Sequence, residues 1–309
     1  IGIAQTGSGK TGAFLIPAIV HAHAQRPLRR ADSGPVVLVV APTRELAVQI
    51  SDEADKLLRH SWKSYEHRGG LRSVCFYGGG RKFQQLQQFT FDGSHIVVAT
   101  PGRLIDFCKE GKVSLQRVTY FCLDEADRML DMGFVDDIKA IAKRTPAQRQ
   151  TLLFSATFPD GVQELAQKFM RDPQTVKVAG ATSAAASTIR QIAFEVSDAQ
   201  RLDAVPRLLR AFRPESTIAF CNTKQQCRDL EAVLAAQGFI ALALHGDLEQ
   251  RDRDQVLIQF ANRSASVLVA TDVAARGLDI ANLACVINVD ISADVEQHVH
   301  RVGRTGRAG

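Results

Sequence analysis

Short apolar runs recur along this chain with helix-like text between them, in two successive series. Val36–Ala41, Ser73–Tyr77, His95–Thr100, Val118–Leu123 and Thr151–Phe154 make up the first. Ile192–Val196, Thr217–Phe220, Ile240–Leu244, Val267–Ala270 and Ala284–Val289 make up the second. Val, Ile, Leu and Phe fill these runs without clean alternation, the pattern of strands covered on both faces, as in parallel sheets. The text between them reads as helix at Thr11–His23, Arg44–Leu58, Phe134–Lys143 and Asp160–Phe169, then at Arg201–Phe212, Lys224–Gln237 and Glu249–Phe260. Strands alternating with helices predict an α/β fold whose sheets are mostly parallel and flanked by helices.

A chain of 309 residues is long for one ordinary core and comfortable for two. Around Ala179–Thr188 the residues turn small and polar, with no large apolar side chain to anchor them. Residues 1–178 are therefore expected as one domain, 179–189 as a linker and 190–309 as a second, similar domain. The opening Ile1-Gly2-Ile3-Ala4 reads as the tail of a strand entered partway, so the chain is expected to be a fragment. Ser61–Leu71 lengthens one helix-to-strand connection; Trp62 and Tyr65 there could stack on bases, but local packing is the plainer expectation.

Composition narrows the class. Hydrophobic residues at 45% and charged residues at 23% fit a soluble globular protein and exclude a disordered or fibrous one. No stretch approaches the ~18 to 20 apolar residues of a membrane span, and no membrane partner is expected. The charge of +5, from 38 Lys and Arg against 33 Asp and Glu, permits a polyanionic partner without requiring one. Six scattered cysteines with no C-x-x-C pair suggest a reduced intracellular compartment, with Cys122 and Cys285 inside strand-like runs. The pairs His21/His23 and His298/His300 lack a third ligand and the spacing of a shared helix face, so no protein-held metal is expected from them.

The sharpest local signal is Ala4-Gln5-Thr6-Gly7-Ser8-Gly9-Lys10-Thr11, which follows an apolar strand end and precedes a helix. Glycines there let backbone N–H groups converge on phosphates; Lys10 would reach the β and γ oxygens, and Thr11 would offer its hydroxyl to Mg²⁺. Thr6, Gly7, Ser8 and Gly9 would complete the cradle. Ala4 stands where the strict pattern has glycine, so the match is to a relaxed form. A carboxylate at another strand end should complete the metal shell, and Val118–Leu123 runs into Asp124-Glu125-Ala126-Asp127. Asp124 would hold Mg²⁺, partly through water, and Glu125 would orient and deprotonate an attacking water.

These strings belong to an ordered set that covers nearly the whole chain. It runs AQTGSGKT (4–11), PTRELA (42–47), YGGG (77–80), TPGR (100–103), DEAD (124–127), SAT (155–157), FCNT (220–223), QRDR (250–253), ATDVAARGLD (270–279) and HRVGRTGR (300–307). On these strings the chain strongly resembles the DEAD-box RNA helicases of superfamily 2. The resemblance implies two tandem RecA-like domains that bind ATP and RNA in the cleft between them. It implies that Arg304 and Arg307 are arginine fingers, and that Gly277 and Asp279 contact the nucleotide. RNA contacts are implied at Pro42, Thr43, Arg44, Gly79, Gly80, Thr100, Gly102 and Arg103, and at Gly246, Gln250, Arg253, Thr271 and Asp272. Most of these are small, hydroxylic or guanidinium groups suited to phosphates rather than bases, so binding is expected to be largely independent of sequence. Ser155 and Thr157 are implied to couple hydrolysis to strand separation.

Two activities are compatible with these residues: a helicase that separates short duplexes locally and hydrolyses ATP to let go, and an ATP-locked RNA clamp that scaffolds other proteins. A DNA-directed translocase is disfavoured by the DEAD and SAT strings. A monomer open to protein regulators is expected. The family's adenine-reading glutamine segment would lie upstream of Ile1, and its last strand and helix downstream of Gly309. Residues 1–309 alone are therefore expected to be poorly stable and weakly active.

Overall fold

The structure is a computed structural model and describes residues 1–309 apart from 5–7, 30, 31, 33, 179–188, 276–282, 293, 294 and 306–309. The chain divides into two compact units, Ile1–Thr182 and Ser183–Gly309. The expected linker falls on residues outside those described, except for Ile189.

In the first unit, β1 (Gly2–Ile3) leads to α1 (Lys10–His23), β2 (Val37–Val40) to α2 (Arg44–Leu58), β3 (Ser73–Phe76) to α3 (Lys82–Asp92), and β4 (Ile96–Ala99) to α4 (Pro101–Lys109). Then come β5 (Tyr120–Leu123), α5 (Ala126–Asp131), α6 (Val135–Arg144), β6 (Gln150–Ser155), α7 (Asp160–Phe169) and β7 (Val176–Lys177). The seven strands pair in the order β3-β4-β2-β5-β6-β1-β7, and all the pairs are parallel. Within β1, Gly2 sits opposite both Phe154 of β6 and Val176 of β7.

The unbroken apolar runs have a direct cause in this unit. Along β2, Leu38 and Val40 enter one core with residues of α4, α6 and α7, while Val37 and Val39 enter another with residues of α1 and α2. Every position of β2, β4 and β5 is buried on one face or the other, so these central strands carry no charged residue.

The second unit repeats the construction with α8 (Arg201–Phe212), β8 (Thr217–Cys221), α9 (Lys224–Ala236), β9 (Ala241–Leu244), α10 (Gln250–Ala261), β10 (Val267–Thr271), α11 (Asp272–Ala275), β11 (Cys285–Asn288) and α12 (Val295–Val302). Its strands pair in parallel in the order β11-β8-β10-β9. Ala219 and Val269 face α8 and α9, whereas Phe220 and Leu268 face α10 and α11. Thr223 caps α9 with a reciprocal capping box, its side chain accepting from Gln226 N while Gln226 accepts at the Thr223 backbone.

Two expectations fail. Ile192–Val196 is not a strand: Ile192, Phe194 and Val196 are about half exposed, and no described strand pairs with the segment. Alternation supplies an apolar face but not a pairing edge, and Phe194 instead sets its ring 6.5 Å from Phe212 of α8. The aromatic residues of Ser61–Leu71 also do not pack locally. Tyr65 is 99% exposed and Trp62 62% exposed, while His67 and Leu71 are the side chains of that segment that are buried.

Among the described residues no helix is long and apolar enough to cross a membrane. The six cysteines are free thiols, with Cys122 buried and Cys285 partly buried.

Candidate active site at the strand ends

Every strand of the first sheet points the same way, so the loops after the strands share one edge. The order of strands divides that edge by chemistry. The strings expected at the nucleotide follow β1 and β5, with the expected coupling string at the end of β6 between them, and the first-unit strings expected at RNA follow β2, β4 and β3, which are contiguous beside these.

On the nucleotide half, Gly9 is the N-cap of α1 in the left-handed region, at φ +85°, where a side chain would be strained. No acidic residue lies in the first turn of α1 and no side chain caps it, so the positive end of a 14-residue helix is not offset by a carboxylate. That is the arrangement that favours an anion. Lys10 opens the helix and donates from Nζ to the Ala4 carbonyl at 2.8 Å, across the mouth of the loop. Thr11 follows in the same turn, and Ser8 precedes the cap. Thr6 and Gly7 lie outside the described residues.

Asp124 directly follows β5 and is buried, accepting the Glu125 backbone N–H at 3.0 Å. Burial pushes its carboxyl up to about 7; Lys10 pulls it down, while Glu125 and Asp127 add to the rise. The chemistry of the donors, a buried Asp124 carboxylate only partly offset by Lys10 and the Thr11 hydroxyl, suits a hard divalent cation such as Mg²⁺. Glu125 turns the chain into α5 at φ 54°, a left-handed conformation that costs a non-glycine residue about 1–3 kcal/mol. Its Oε2 accepts from Arg128 Nη1 at 2.7 Å, and both side chains are largely buried.

Asp127 links this string to the one after β6. Its Oδ2 accepts from the Thr157 backbone N–H at 2.9 Å and from Thr157 Oγ1 at 2.8 Å. Its own N–H donates to Ser155 Oγ at 3.1 Å. Ser155 and Thr157, expected as coupling residues, are thus fastened directly to the carboxylate strand end.

On the other half, Pro42 and Thr43 follow β2, and Thr43 caps α2 by accepting from Leu46 N at 3.3 Å. Arg44 stands 4.7 Å over the ring of Tyr77. Gly79 and Gly80 follow β3, and Thr100, Gly102 and Arg103 follow β4, with Thr100 as N-cap of α4. Arg103 donates to the Gly80 carbonyl at 3.3 and 3.4 Å and to Gln85 Oε1 at 3.1 Å. Gln85 also accepts from Tyr77 N and donates to Tyr77 O, so one buried amide joins the two strings.

In the second unit, Gly246 follows β9, while Gln250 and Arg253 start α10. Gln250 donates to Asp254 at 3.0 Å, and Arg253 reaches the Ala274 carbonyl at 2.6 Å. Thr271 ends β10, and Asp272 opens α11 with both oxygens on Arg301. Arg304 is buried just past α12. Gly277, Asp279 and Arg307 lie outside the described residues.

Four residues carry site geometry to which the sequence assigned no role. Asp127 and Arg301 sit inside recognised strings, and that membership is their only signal. Arg128 and Gln85 have none, because the partners of each are fixed by tertiary placement.

The comparisons agree with these strings. A family model described as DEAD/DEAH box helicase matches residues 1–165, and one described as helicase conserved C-terminal domain matches residues 200–309. The chain is 47% identical over 312 aligned residues to the ATP-dependent RNA helicase DBP2 of Saccharomyces cerevisiae, covering all of this chain and 55% of the relative. The corresponding Scheffersomyces stipitis protein is 46% identical, with 57% of it covered. The chain thus spans little more than half the length of these curated relatives. Among solved structures, S. cerevisiae Dbp5 bound to RNA and ADP BeF3 matches all of this chain and 76% of its own, at 29% identity and a TM-score of 0.83. On the family match and the ordered strings that carry it, the chain belongs to the DEAD/DEAH box helicases.

Proposed function

We propose that the protein is an RNA-stimulated ATPase that grips RNA by its backbone, separates short duplexes locally and hydrolyses ATP to release. The observation that carries this reading is the divided edge of the first sheet. Lys10 follows β1, Asp124 and Glu125 follow β5, and Ser155 ends β6 between them, while Thr43, Gly80 and Arg103 follow β2, β3 and β4, the three contiguous strands beside these. One rigid sheet therefore holds a triphosphate site and a backbone-gripping site in fixed register. Its likeness to proteins named as ATP-dependent RNA helicases, and to a structure described as bound to RNA, supports RNA over DNA as the polymer.

In this reading Lys10, Thr11 and the first N–H groups of α1 hold the triphosphate. A Mg²⁺ ion held by Asp124 and Thr11 would supply charge neutralisation at the phosphate oxygens. Glu125, with Oε2 fixed by Arg128, orients the attacking water and takes its proton as ADP leaves. Arg304 and Arg307 neutralise the charge that develops on the transferred group, so turnover needs both units. Asp127 passes the state of the carboxylate site to Ser155 and Thr157.

ATP hydrolysis should be measured with single-stranded RNA, with DNA of the same sequence and with no polymer, alongside release of a short RNA duplex. RNA-selective stimulation with ATP-dependent release is expected. Equal stimulation by DNA, or release that needs no nucleotide, would overturn the reading.

A further inference from the structure

The Ser61–Leu71 segment is ordered by its small polar residues and presents its large aromatic ones outward. Ser61 Oγ accepts from Leu71 N at 3.0 Å and closes the base of the loop. Ser64 Oγ accepts from His67 N at 3.2 Å and pairs with His23 Nε2 at 3.1 Å. His67 is buried between His23 and His95, with ring centroids at 5.3 and 5.2 Å, and its Nε2 pairs with the His23 carbonyl at 2.9 Å. These contacts fix the loop without using Trp62 or Tyr65, which stay 62% and 99% exposed.

Two exposed aromatic side chains on one ordered loop present flat apolar faces to a partner. The residues around it are cationic: Arg59, Lys63 and Arg68 are all exposed, against a single acid, Glu66. Lys63 Nζ lies 5.6 Å from the Trp62 ring. Stacking faces interleaved with cations match a single-stranded nucleic acid, whose bases stack and whose phosphates pair. An acidic peptide would satisfy the cations and leave the rings without flat partners.

We propose that this loop is a second contact for single-stranded RNA, separate from the groove formed by the family's strings. It lies beyond the C-terminal end of α2, whereas Thr43 and Arg44 lie at the other end; 15 residues of helix separate the two by about 22 Å. A strand held at the groove would be caught again only if it ran on past the far pole of the first unit. The choice of RNA as the polymer rests on the proposed function; the existence of the surface does not.

The chain has one tryptophan, so emission excited selectively at tryptophan reports on Trp62 alone. Titration of the intact chain with a 20-nucleotide oligouridylate, without nucleotide, should quench that emission saturably. Arg44→Ala, in the groove, should leave the quenching in place, and its loss there would overturn the claim of a separate contact. Tyr65→Ala should weaken the titration about five-fold or more. Lys63→Gln should reduce the slope of log affinity against log salt by about 0.7. Unchanged emission with RNA that stimulates the ATPase would overturn the proposal and spare the function. Equal quenching by a polyaspartate peptide would overturn it in favour of an acidic partner. RNA that neither quenches nor stimulates would overturn both readings.

Discussion

Arg301 grips both carboxylate oxygens of Asp272, with Nε on Oδ1 at 2.7 Å and Nη2 on Oδ2 at 2.6 Å. The same guanidinium donates to Asn222 Oδ1 at 2.8 Å and to the Asp290 carbonyl at 2.7 Å, and it is 1% exposed. It therefore ties α12 to the ends of β8 and β10 and to the chain after β11. Removing it strips the partly buried Asp272 of both these bonds, a loss of about 3 kcal/mol for an ion pair buried on the arginine side. Arg301→Ala should lower unfolding stability by that amount in a urea titration. Arg301→Lys should be only partly tolerated, because an ammonium cannot match the two-point geometry.

The Thr157 hydroxyl should matter more to strand separation than to hydrolysis. Its bond to Asp127 Oδ2 is 2.8 Å long, while the Thr157 backbone N–H holds the same oxygen at 2.9 Å. Thr157→Val removes the first bond and keeps the second. A hydrogen bond to a charged group contributes about 1.5–3 kcal/mol, a factor of ten or more. Duplex released per ATP hydrolysed should fall about ten-fold, with RNA-stimulated ATPase changing far less. A parallel fall in both would show that the bond serves the chemistry rather than its transmission.

Asp124 makes the protein without Mg²⁺ sensitive to pH in a defined direction. Its folded-state pKa is raised to about 7 by burial, against about 3.9 in an unfolded chain. The folded state thus holds the proton more tightly. Stability is fully present below about pH 4, falls as pH rises to about 7 and is flat above, with a span of at most about 4 kcal/mol. Asp124→Asn should abolish turnover yet raise the thermal midpoint at pH 8, with little change at pH 4. A variant less stable than the parent at pH 8 would contradict the assignment of burial as the cause.

Both sheets and most of their helices were legible from the apolar runs, because strands buried on two faces are built mostly of apolar residues. α2, α7 and α8 begin and end where the text suggests, at Arg44–Leu58, Asp160–Phe169 and Arg201–Phe212. β7 escaped notice since two exposed residues, Val176 and Lys177, make no run. Ile192–Val196 misled because alternation encodes a face and says nothing about a partner. The candidate ATP and RNA residues were legible as strings, since phosphate chemistry fixes which residue types stand next to one another. Their supports were not: Arg128 serves Glu125 and Gln85 serves Arg103 through geometry that neither string spells out.

Gln85 offers the sharpest test of that distinction. Its amide accepts from Tyr77 N and from Arg103 Nη1, both at 3.1 Å, and donates to Tyr77 O at 3.2 Å, all at 6% exposure. Gln85→Leu strips Arg103 of a side-chain acceptor and orphans two backbone groups, each costing about 1–3 kcal/mol. Gly80→Ala attacks the same joint sterically, because its Cβ would lie 2.6 Å from both Gln85 Nε2 and Tyr77 Cε2. Both changes loosen the strings after β3 and β4 and leave those after β1, β5 and β6 intact. The RNA concentration for half-maximal ATPase should rise about ten-fold, corresponding to roughly 1.4 kcal/mol, while the KM for ATP and kcat at saturating RNA hold. Gln85→Glu keeps both acceptor bonds and should fall between parent and Gln85→Leu. If kcat dropped as much as RNA affinity, the joint would belong to the whole domain rather than to its grip on the polymer.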